Sequence, residues 1–304
     1  MSEIVYWLLN MSLLASVAGL VIIVLRRIRK LPRRFIYILW SIPFLRFILP
    51  FAFTWDFSFF RLLDHFRYAT VVFWKPIPST NINLQLAASN YMGAADFKNN
   101  YIYRAPFQFK TDLLGDIFHT AFWIWLFIAL VLVLFIVGSY IITLQSVKNN
   151  ESNLTTPMVY GLFHQQIFIP TNVTNPDRKY ILLHEKVHFR RHDNLFRMLA
   201  LIIICIHWFN PFAWLFLKLL YTDMELSCDE TVYSTLSDED KLSYAHTIIN
   251  QTKGSSSYMT AFSGAPVSLR IQQLLSYRKM TLLSLIILLS FLAVISVTLL
   301  TNAA

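Results

Sequence analysis

Four segments of this chain are long and apolar enough to cross a lipid bilayer as helices, and they constrain its fold more than any other feature. They cover roughly residues 4–25, 35–55, 117–143 and 280–301, each near or above the about 20 residues that a spanning helix needs. With 56% hydrophobic and 14% charged residues, the chain is more apolar than a soluble domain. We therefore predict an integral membrane protein and exclude a disordered chain, a secreted disulfide scaffold and most soluble enzymes.

The basic residues predict how these spans are oriented. Six of them lie within nine positions directly after the first segment, namely Arg26, Arg27, Arg29, Lys30, Arg33 and Arg34. Because cytoplasmic loops are rich in Lys and Arg, this loop is predicted to lie inside and both chain termini outside. A positive charge concentrated beside a span favours this interpretation over direct nucleic-acid binding.

The predicted organisation follows from that orientation. Residues 1–55 hold the first two spans and their basic loop, and residues 56–116 form an extracytoplasmic loop. The third span covers residues 117–144, and residues 145–279, with thirteen basic residues, form a cytoplasmic domain. The fourth span and a short outer tail occupy residues 280–304.

A fifth apolar segment, residues 195–221, is interrupted in its middle by His207, Asn210 and Pro211. Proline inside a helix costs about 3 kcal/mol. The two arms, of about 15 and 10 residues, are each too short to cross about 30 Å of hydrocarbon. We predict a helical hairpin that does not span, so that the residues before and after it lie on the same side of the membrane.

Catalytic residues are predicted in the sequence ILLHEKVH at 181–188. His184 and His188 are four residues apart, so on a helix they share one face and can bind one Zn²⁺. Glu185 is then placed to take a proton from a water that the zinc polarises and to pass it to the leaving amine. The pattern also occurs in ordinary helices, but apolar neighbours such as Val187 give this helix a face to bury.

A catalytic zinc needs a third protein ligand, and Glu225 in MELSCDE is the candidate. Asp229 follows it by four residues and can hold the second nitrogen of a ligand histidine. Asp193 follows the predicted helix that carries His184 and His188. It can orient a ligand histidine in the same way, or it can belong to the end of that helix without contacting a ligand. An ordinary acidic helix surface is the alternative for Glu225 and Asp229, and Cys228 is interpreted as a packed thiol.

Four segments, in this order, resemble the BlaR/MecR family of beta-lactam-sensing membrane metallopeptidases. They read TPMVYGLFHQQIFIP (156–170), ILLHEKVHFRRHDNLF (181–196), HWFNPFAW (207–214) and ELSCDE (225–230). The resemblance implies that His184, His188 and Glu225 bind zinc and that Glu185 is the general base. It also implies that residues 156–170 form a strand edge that aligns the substrate, with Gly161 in the turn.

The resemblance implies a signalling function in which the enzyme cleaves a transcriptional repressor or itself. The nearest equivalent of the family's self-cleavage segment lies around Leu269, Arg270 and Ile271, where this chain has a single basic residue in place of a pair. A helix leading into the last span is the alternative for that segment.

No S-x-x-K, S-D-N or K-T-G set follows the fourth span, so we do not expect this chain to sense beta-lactams covalently. A sensor on a partner, a different signal and a truncated chain all stay open.

The predicted fold is a mainly α, polytopic membrane protein with four transmembrane helices and an inserted cytoplasmic gluzincin-like α+β protease domain. The predicted function is a zinc endopeptidase in the bacterial cytoplasmic membrane, with Zn²⁺ as its cofactor. Its predicted partners are the lipid bilayer and a cytoplasmic protein substrate, and a homodimer is a candidate assembly. The alternatives are a non-catalytic membrane signalling module and a housekeeping zinc protease of the HtpX type.

Overall fold

A computed structural model describes residues 2–28, 31–49, 54–55, 111–148, 157–170, 173, 177–251, 265–276, 282–300 and 302–303. These residues are mainly helical. Their helices are α1 (Ser2–Arg26), α2 (Arg33–Leu39), α3 (Ser41–Ile48), α4 (Thr111–Lys148), α5 (Asp177–Arg191), α6 (Asp193–Ile206), α7 (Pro211–Thr235), α8 (Asp238–Gln251), α9 (Val267–Leu275) and α10 (Leu282–Leu300). Their strands are β1 (Thr54–Trp55), β2 (Met158–Tyr160), β3 (Gln166–Phe168) and β4 (Asn302–Ala303). Most of the loop predicted at 56–116 lies outside the described residues.

Two stretches among the described residues are long and apolar enough to cross a membrane. They are Trp7–Arg26 in α1 and His119–Lys148 in α4, which correspond to the first and third predicted spans. Helix α10 occupies the fourth predicted segment, but its described apolar stretch, Leu289–Leu300, is shorter. Four spans therefore stay a prediction, of which the structure contains two candidates.

The segment predicted as the second span differs from the expectation. Helix α2 ends at Leu39, and a separate helix α3 begins at Ser41 and ends at Ile48. Pro43 has no amide hydrogen to donate to the carbonyl of Leu39, which interrupts the ladder of helical hydrogen bonds. The Ser41 hydroxyl donates to the carbonyl oxygen of Ile38 at 2.7 Å. Among the described residues, the helix predicted over 35–55 is therefore divided into two short helices, and the second span itself stays a prediction.

The chain divides into two compact units. The first contains Met1–Leu20, Ile42–Ala129 and Thr281–Ala304. In this unit the buried Arg46 donates from Nε to the carbonyl oxygen of Leu299, at the end of α10, at 2.9 Å. This contact is favourable because the carbonyls at a helix C-terminus carry partial negative charge.

The second unit contains Val21–Ser41 and Leu130–Met280, and α7 lies at its centre, in contact with α2, α5, α6 and α9. Helices α6 and α7 form the predicted hairpin. Pro211 is the first residue of α7, and the Asn210 side chain caps the helix by accepting from the Phe212 amide at 2.9 Å. The break at residues 207–210 is therefore confirmed. Helix α7 is longer than the predicted second arm, since it continues to Thr235 and carries Glu225.

Helix α5 carries the two histidines of the predicted zinc site. Asp177 lies in its first turn and Arg191 in its last, which suits the helix dipole. His192 has a φ of 55° and separates α5 from α6. The helix packs against α7, α8 and α9. The buried side chains that join these helices are Tyr180, Val232, Tyr244, Ile248 and Leu274.

A short hairpin lies against α5. Strands β2 and β3 pair antiparallel, with Tyr160 opposite Gln166, and both strands contact α5. Gly161 has a φ of 85°, and a Cβ atom there would lie 2.3 Å from the carbonyl oxygen of His164. The predicted turn at Gly161 is therefore confirmed. Asn194 Nδ2, at the start of α6, donates to the Gly161 carbonyl at 2.6 Å.

Candidate metal centre

Three predicted ligands from two helices converge on one point. His184 Nε2 and His188 Nε2, one turn apart on α5, are 3.1 Å from each other. Glu225 Oε2 on α7 lies 3.4 Å from the first of these nitrogens and 3.6 Å from the second. The hairpin of α6 and α7 thus returns Glu225 to the histidines, as the sequence predicts.

The spacing of these atoms fits a metal ion. Two ligands that are each about 2.0–2.1 Å from a tetrahedral zinc ion are about 3.3 Å from each other. The three observed separations, 3.1, 3.4 and 3.6 Å, lie close to that value. Two imidazoles and one carboxylate are also a donor set that catalytic zinc sites use, so the residues present fit such an ion.

The other nitrogen of each imidazole is held by an aspartate. His188 Nδ1 lies 2.6 Å from Asp193 Oδ2. His184 Nδ1 lies 3.2 Å from Asp229 Oδ1 and 3.0 Å from the hydroxyl of Tyr244. These contacts at Nδ1 turn both Nε2 atoms towards Glu225, which is how hydrogen-bonded acceptors orient metal-binding histidines.

Asp229 is itself fully buried and paired with Arg270. Arg270 Nε and Nη2 contact its two oxygens at 2.6 Å each, and the Tyr244 hydroxyl donates to Oδ1 at 2.7 Å. Burial would raise the pKa of the Asp229 carboxyl, but the positive charge and hydrogen bonds of Arg270 outweigh it. The pKa therefore lies well below its usual range, and Asp229 stays an acceptor for His184.

Glu225 is also held in its ionised form. Arg197 on α6 pairs with Glu225 Oε1, which leaves Oε2 beside the histidines. Burial would raise the pKa of this carboxyl, but the charge of His188 and the surrounding hydrogen bonds lower it well below its usual range. Glu185, the predicted general base, is buried on α5 next to His184.

Cys228 is a further donor beside the two histidines. His184, His188 and Cys228 are all buried, and their potential ligand atoms lie within 4.8 Å of one another. The Cys228 thiol donates to the backbone carbonyl of His184 at 3.3 Å. The sequence interpretation of a packed thiol is compatible with that hydrogen bond, but the structure also places the sulfur close to the candidate metal site.

The segment considered for self-cleavage is helical. Leu269, Arg270 and Ile271 lie inside α9, and Arg270 makes the ion pair with Asp229 described above. A peptide bond in a helix must unwind before a protease can bind it as a strand, and here unwinding would also remove the partner of a buried carboxylate. Self-cleavage at this position stays a prediction.

Sequence reasoning missed several residues around the site. Tyr37 on α2 donates to Asp193 Oδ1 at 2.8 Å, although 156 positions separate the two residues. Tyr244, Arg270 and Arg197 likewise lie far along the chain from the residues they contact. No pattern in a single sequence could have indicated these pairs, because their spacing has no helical or strand period.

Basic residues at the end of α1 and in the loop after it also make contacts with α7, which the count of positive charges did not predict. Arg26 Nε contacts the buried Asp223 of α7 at 2.7 Å, and Trp40 Nε1 donates to the same carboxylate at 2.9 Å. The backbone amide of Arg33 donates to Glu230 at 2.6 Å. These contacts hold both ends of α2 against α7 on either side of Glu225.

Comparison with known proteins gives the family. The sequence model of the family described as "BlaR1 peptidase M56" matches residues 6–154 and 145–277. The methicillin resistance mecR1 protein of Staphylococcus aureus is 34% identical over 103 residues, which are 33% of this chain and 18% of that protein. The regulatory protein BlaR1 of Bacillus licheniformis is 31% identical over 102 residues, which are 33% and 17% of the two chains. The chain thus matches less than a fifth of the length of these curated relatives. Because the family model covers most of the sequence and includes every residue of the candidate metal centre, this chain belongs to the BlaR1 peptidase M56 family.

Proposed function

We propose that this chain is a zinc endopeptidase of the bacterial cytoplasmic membrane that cuts a protein on the cytoplasmic side during signal transduction. The observation that carries the proposal is the convergence of His184, His188 and Glu225 within 3.1–3.6 Å of one another beside Glu185. A zinc ion bound by these three residues would supply Lewis-acid chemistry at the substrate carbonyl. Membership of a metallopeptidase family supports this assignment.

Other residues of the chain would supply acid–base catalysis, orient the two histidines and align the substrate. Glu185 acts as general base towards the attacking water and then as general acid towards the leaving amine. Asp193 and Asp229 hold the two imidazoles in one tautomer and one orientation. The β2–β3 hairpin, which contacts α5, offers backbone groups along which an extended substrate can be aligned by hydrogen bonds.

The relatives and the sequence support the proposed substrate and location. One relative bears the name of a regulatory protein and the other of a methicillin resistance protein, which supports a regulatory function. The output that we propose is cleavage of a transcriptional repressor or of the chain itself. The apolar helices α1 and α4 support a membrane location. The thirteen basic residues within 145–279 support a cytoplasmic site with both termini outside.

The test compares the full chain with Glu185→Gln after purification in detergent. We expect about one zinc ion per chain in both proteins. Loss of general acid–base catalysis should lower the cleavage rate about 100-fold or more in Glu185→Gln. Glu239→Gln, the same change at an exposed position on α8, is the matched control and should cleave normally.

The natural substrate is identified in cells by sequencing the new N-termini of cleaved proteins in the parent and in Glu185→Gln. A parent protein without stoichiometric zinc, or full cleavage by Glu185→Gln, would contradict the proposal. Cells that respond to the inducing signal with Glu185→Gln would favour a non-catalytic signalling module instead.

A further inference from the structure

Each histidine of the candidate metal centre is held by an aspartate, and each aspartate is held by one tyrosine and one arginine. Asp229, which contacts His184, accepts from Tyr244 and Arg270. On the other side, Asp193 contacts His188 and accepts from Tyr37 at 2.8 Å and from Arg191 Nε at 3.1 Å. Both aspartates are almost fully buried, with exposed fractions of 0% and 1%. A buried carboxylate of this kind depends on its partners, because water does not solvate its charge.

Two of these four partners come from remote segments. Tyr37 belongs to α2 and lies 156 positions from Asp193, and Arg270 belongs to α9 and lies 41 positions from Asp229. Tyr37 contacts Asp193 Oδ1 while His188 contacts Oδ2. Arg270 contacts both oxygens of Asp229. The orientation of each aspartate, and through it of each imidazole, is therefore shared with one of these segments.

Helix α2 is also seated on the helix that carries Glu225. Trp40 donates to Asp223 at 2.9 Å, and its ring lies 5.6 Å from that of Phe216. A displacement of α2 would thus act on the metal centre by two routes, through Asp193 on α6 and through α7.

We propose that Tyr37 and Arg270 are positioning residues that set the metal affinity of this centre, so that the packing of α2 and α9 determines how tightly a metal ion is held. The inference rests on the proposed zinc site. Without Tyr37 or Arg270, the aspartate loses a partner and can rotate, and the histidine loses a fixed acceptor. The zinc site is then formed less often, and zinc binds more weakly.

The experiment measures zinc affinity in the full-length chain by competition with a chelator. All proteins carry Glu185→Gln, so that proteolysis cannot change the sample and activity is not the readout. We expect Tyr37→Phe and Arg270→Gln each to weaken zinc binding about tenfold, the lower end of the effect of groups that support metal-binding histidines. The zinc affinity of Arg270→Lys should lie between those of Arg270→Gln and the parent, because lysine keeps the positive charge but cannot make the bidentate contact with Asp229.

Two matched controls separate positioning from a general loss of stability. Tyr180→Phe removes another tyrosine–aspartate hydrogen bond, to Asp240 at 2.6 Å. Lys241→Gln removes a basic residue from another aspartate, Asp238, which it contacts at 2.6 Å on α8. Neither aspartate contacts a histidine of the metal centre, so zinc affinity should stay within about twofold of the parent. The absorption spectrum of bound Co²⁺ should likewise change with Tyr37→Phe and not with Tyr180→Phe.

The outcomes are distinguishable. The inference is wrong, and the proposed function stands, if the Glu185→Gln parent binds one zinc ion and the zinc affinities of Tyr37→Phe and Arg270→Gln lie within twofold of that of the parent. Equal weakening by the controls would also overturn the inference, because stability alone would explain it. If neither the unchanged chain nor the Glu185→Gln parent binds zinc, the proposed function is overturned together with the inference. If Arg270→Gln does not fold, Arg270→Lys and Tyr37→Phe decide the result.

Discussion

The third metal ligand can be identified by two substitutions on α7. Glu225 and Cys228 are three positions apart and both lie beside the histidines of α5. Glu225→Gln keeps the shape of the side chain but removes its negative charge. Cys228→Ser keeps the size of the side chain nearly unchanged but removes the sulfur. If Glu225 binds the metal and Cys228 is a packed thiol, only the first substitution should weaken zinc binding strongly.

The expected magnitude follows from the distances. Glu225 Oε2 is 3.4 and 3.6 Å from the two Nε2 atoms, close to the about 3.3 Å between ligands of one tetrahedral zinc ion. Loss of a group that only supports a ligand already costs about 10- to 100-fold in affinity. Loss of the ligand itself should cost at least about 100-fold, or about 2.7 kcal/mol. Cys228→Ser should change affinity by less than about threefold.

The assay is zinc affinity by chelator competition, with thermal unfolding as an independent readout. Zinc at about 100 times its dissociation constant stabilises a folded protein by about 2.7 kcal/mol. The parent and Cys228→Ser should therefore unfold at a higher temperature when zinc is added. Glu225→Gln should show almost none of this stabilisation at the same zinc concentration, and Glu239→Gln serves as the exposed control.

Retention of zinc by Glu225→Gln together with its loss in Cys228→Ser would refute the reasoning from distances. Cys228 would then be the third ligand. Large losses in both variants would mean that four protein donors bind the ion, which would contradict a site with a position free for catalysis.

Three further predictions concern the second unit. Asp223→Asn should destabilise the chain by about 3 kcal/mol in thermal unfolding, because Arg26 loses its buried partner; an unchanged midpoint would contradict this role. Gly161→Ala should cost about 1–3 kcal/mol, since its φ of 85° is strained for alanine, and should raise KM for a peptide substrate if β2 and β3 align it. Hydrogen bonds, foremost from the Tyr180 hydroxyl, lower the pKa of Asp240 to about 2. The stability that Asp240 contributes is therefore complete above about pH 4 and lost as the pH falls towards 2; Asp240→Asn should be less stable than the parent at pH 6 and equally stable near pH 2.

The predictable parts of this protein are those with a local period. His184 and His188 are four residues apart, and that spacing alone places them on one face of a helix. Pro211 and the polar residues before it predict the break between α6 and α7, because proline cannot donate inside a helix. The same rule, applied to Pro43, would have predicted the division of α2 from α3, which a count of apolar residues over 35–55 overlooks.

The contacts that complete the metal centre have no such signal. Tyr37 reaches Asp193 across 156 positions, and Arg270 reaches Asp229 across 41. Such pairs form only when separate helices pack together, and a single sequence does not indicate which helices pack against each other. The amino-acid sequence by itself determined the apolar helices, the pair of histidines on one face of α5 and the hairpin that returns Glu225 to them. Only the tertiary structure decided which side chains hold the two histidines, because the energy of a buried carboxylate depends on partners that the fold brings from distant parts of the chain.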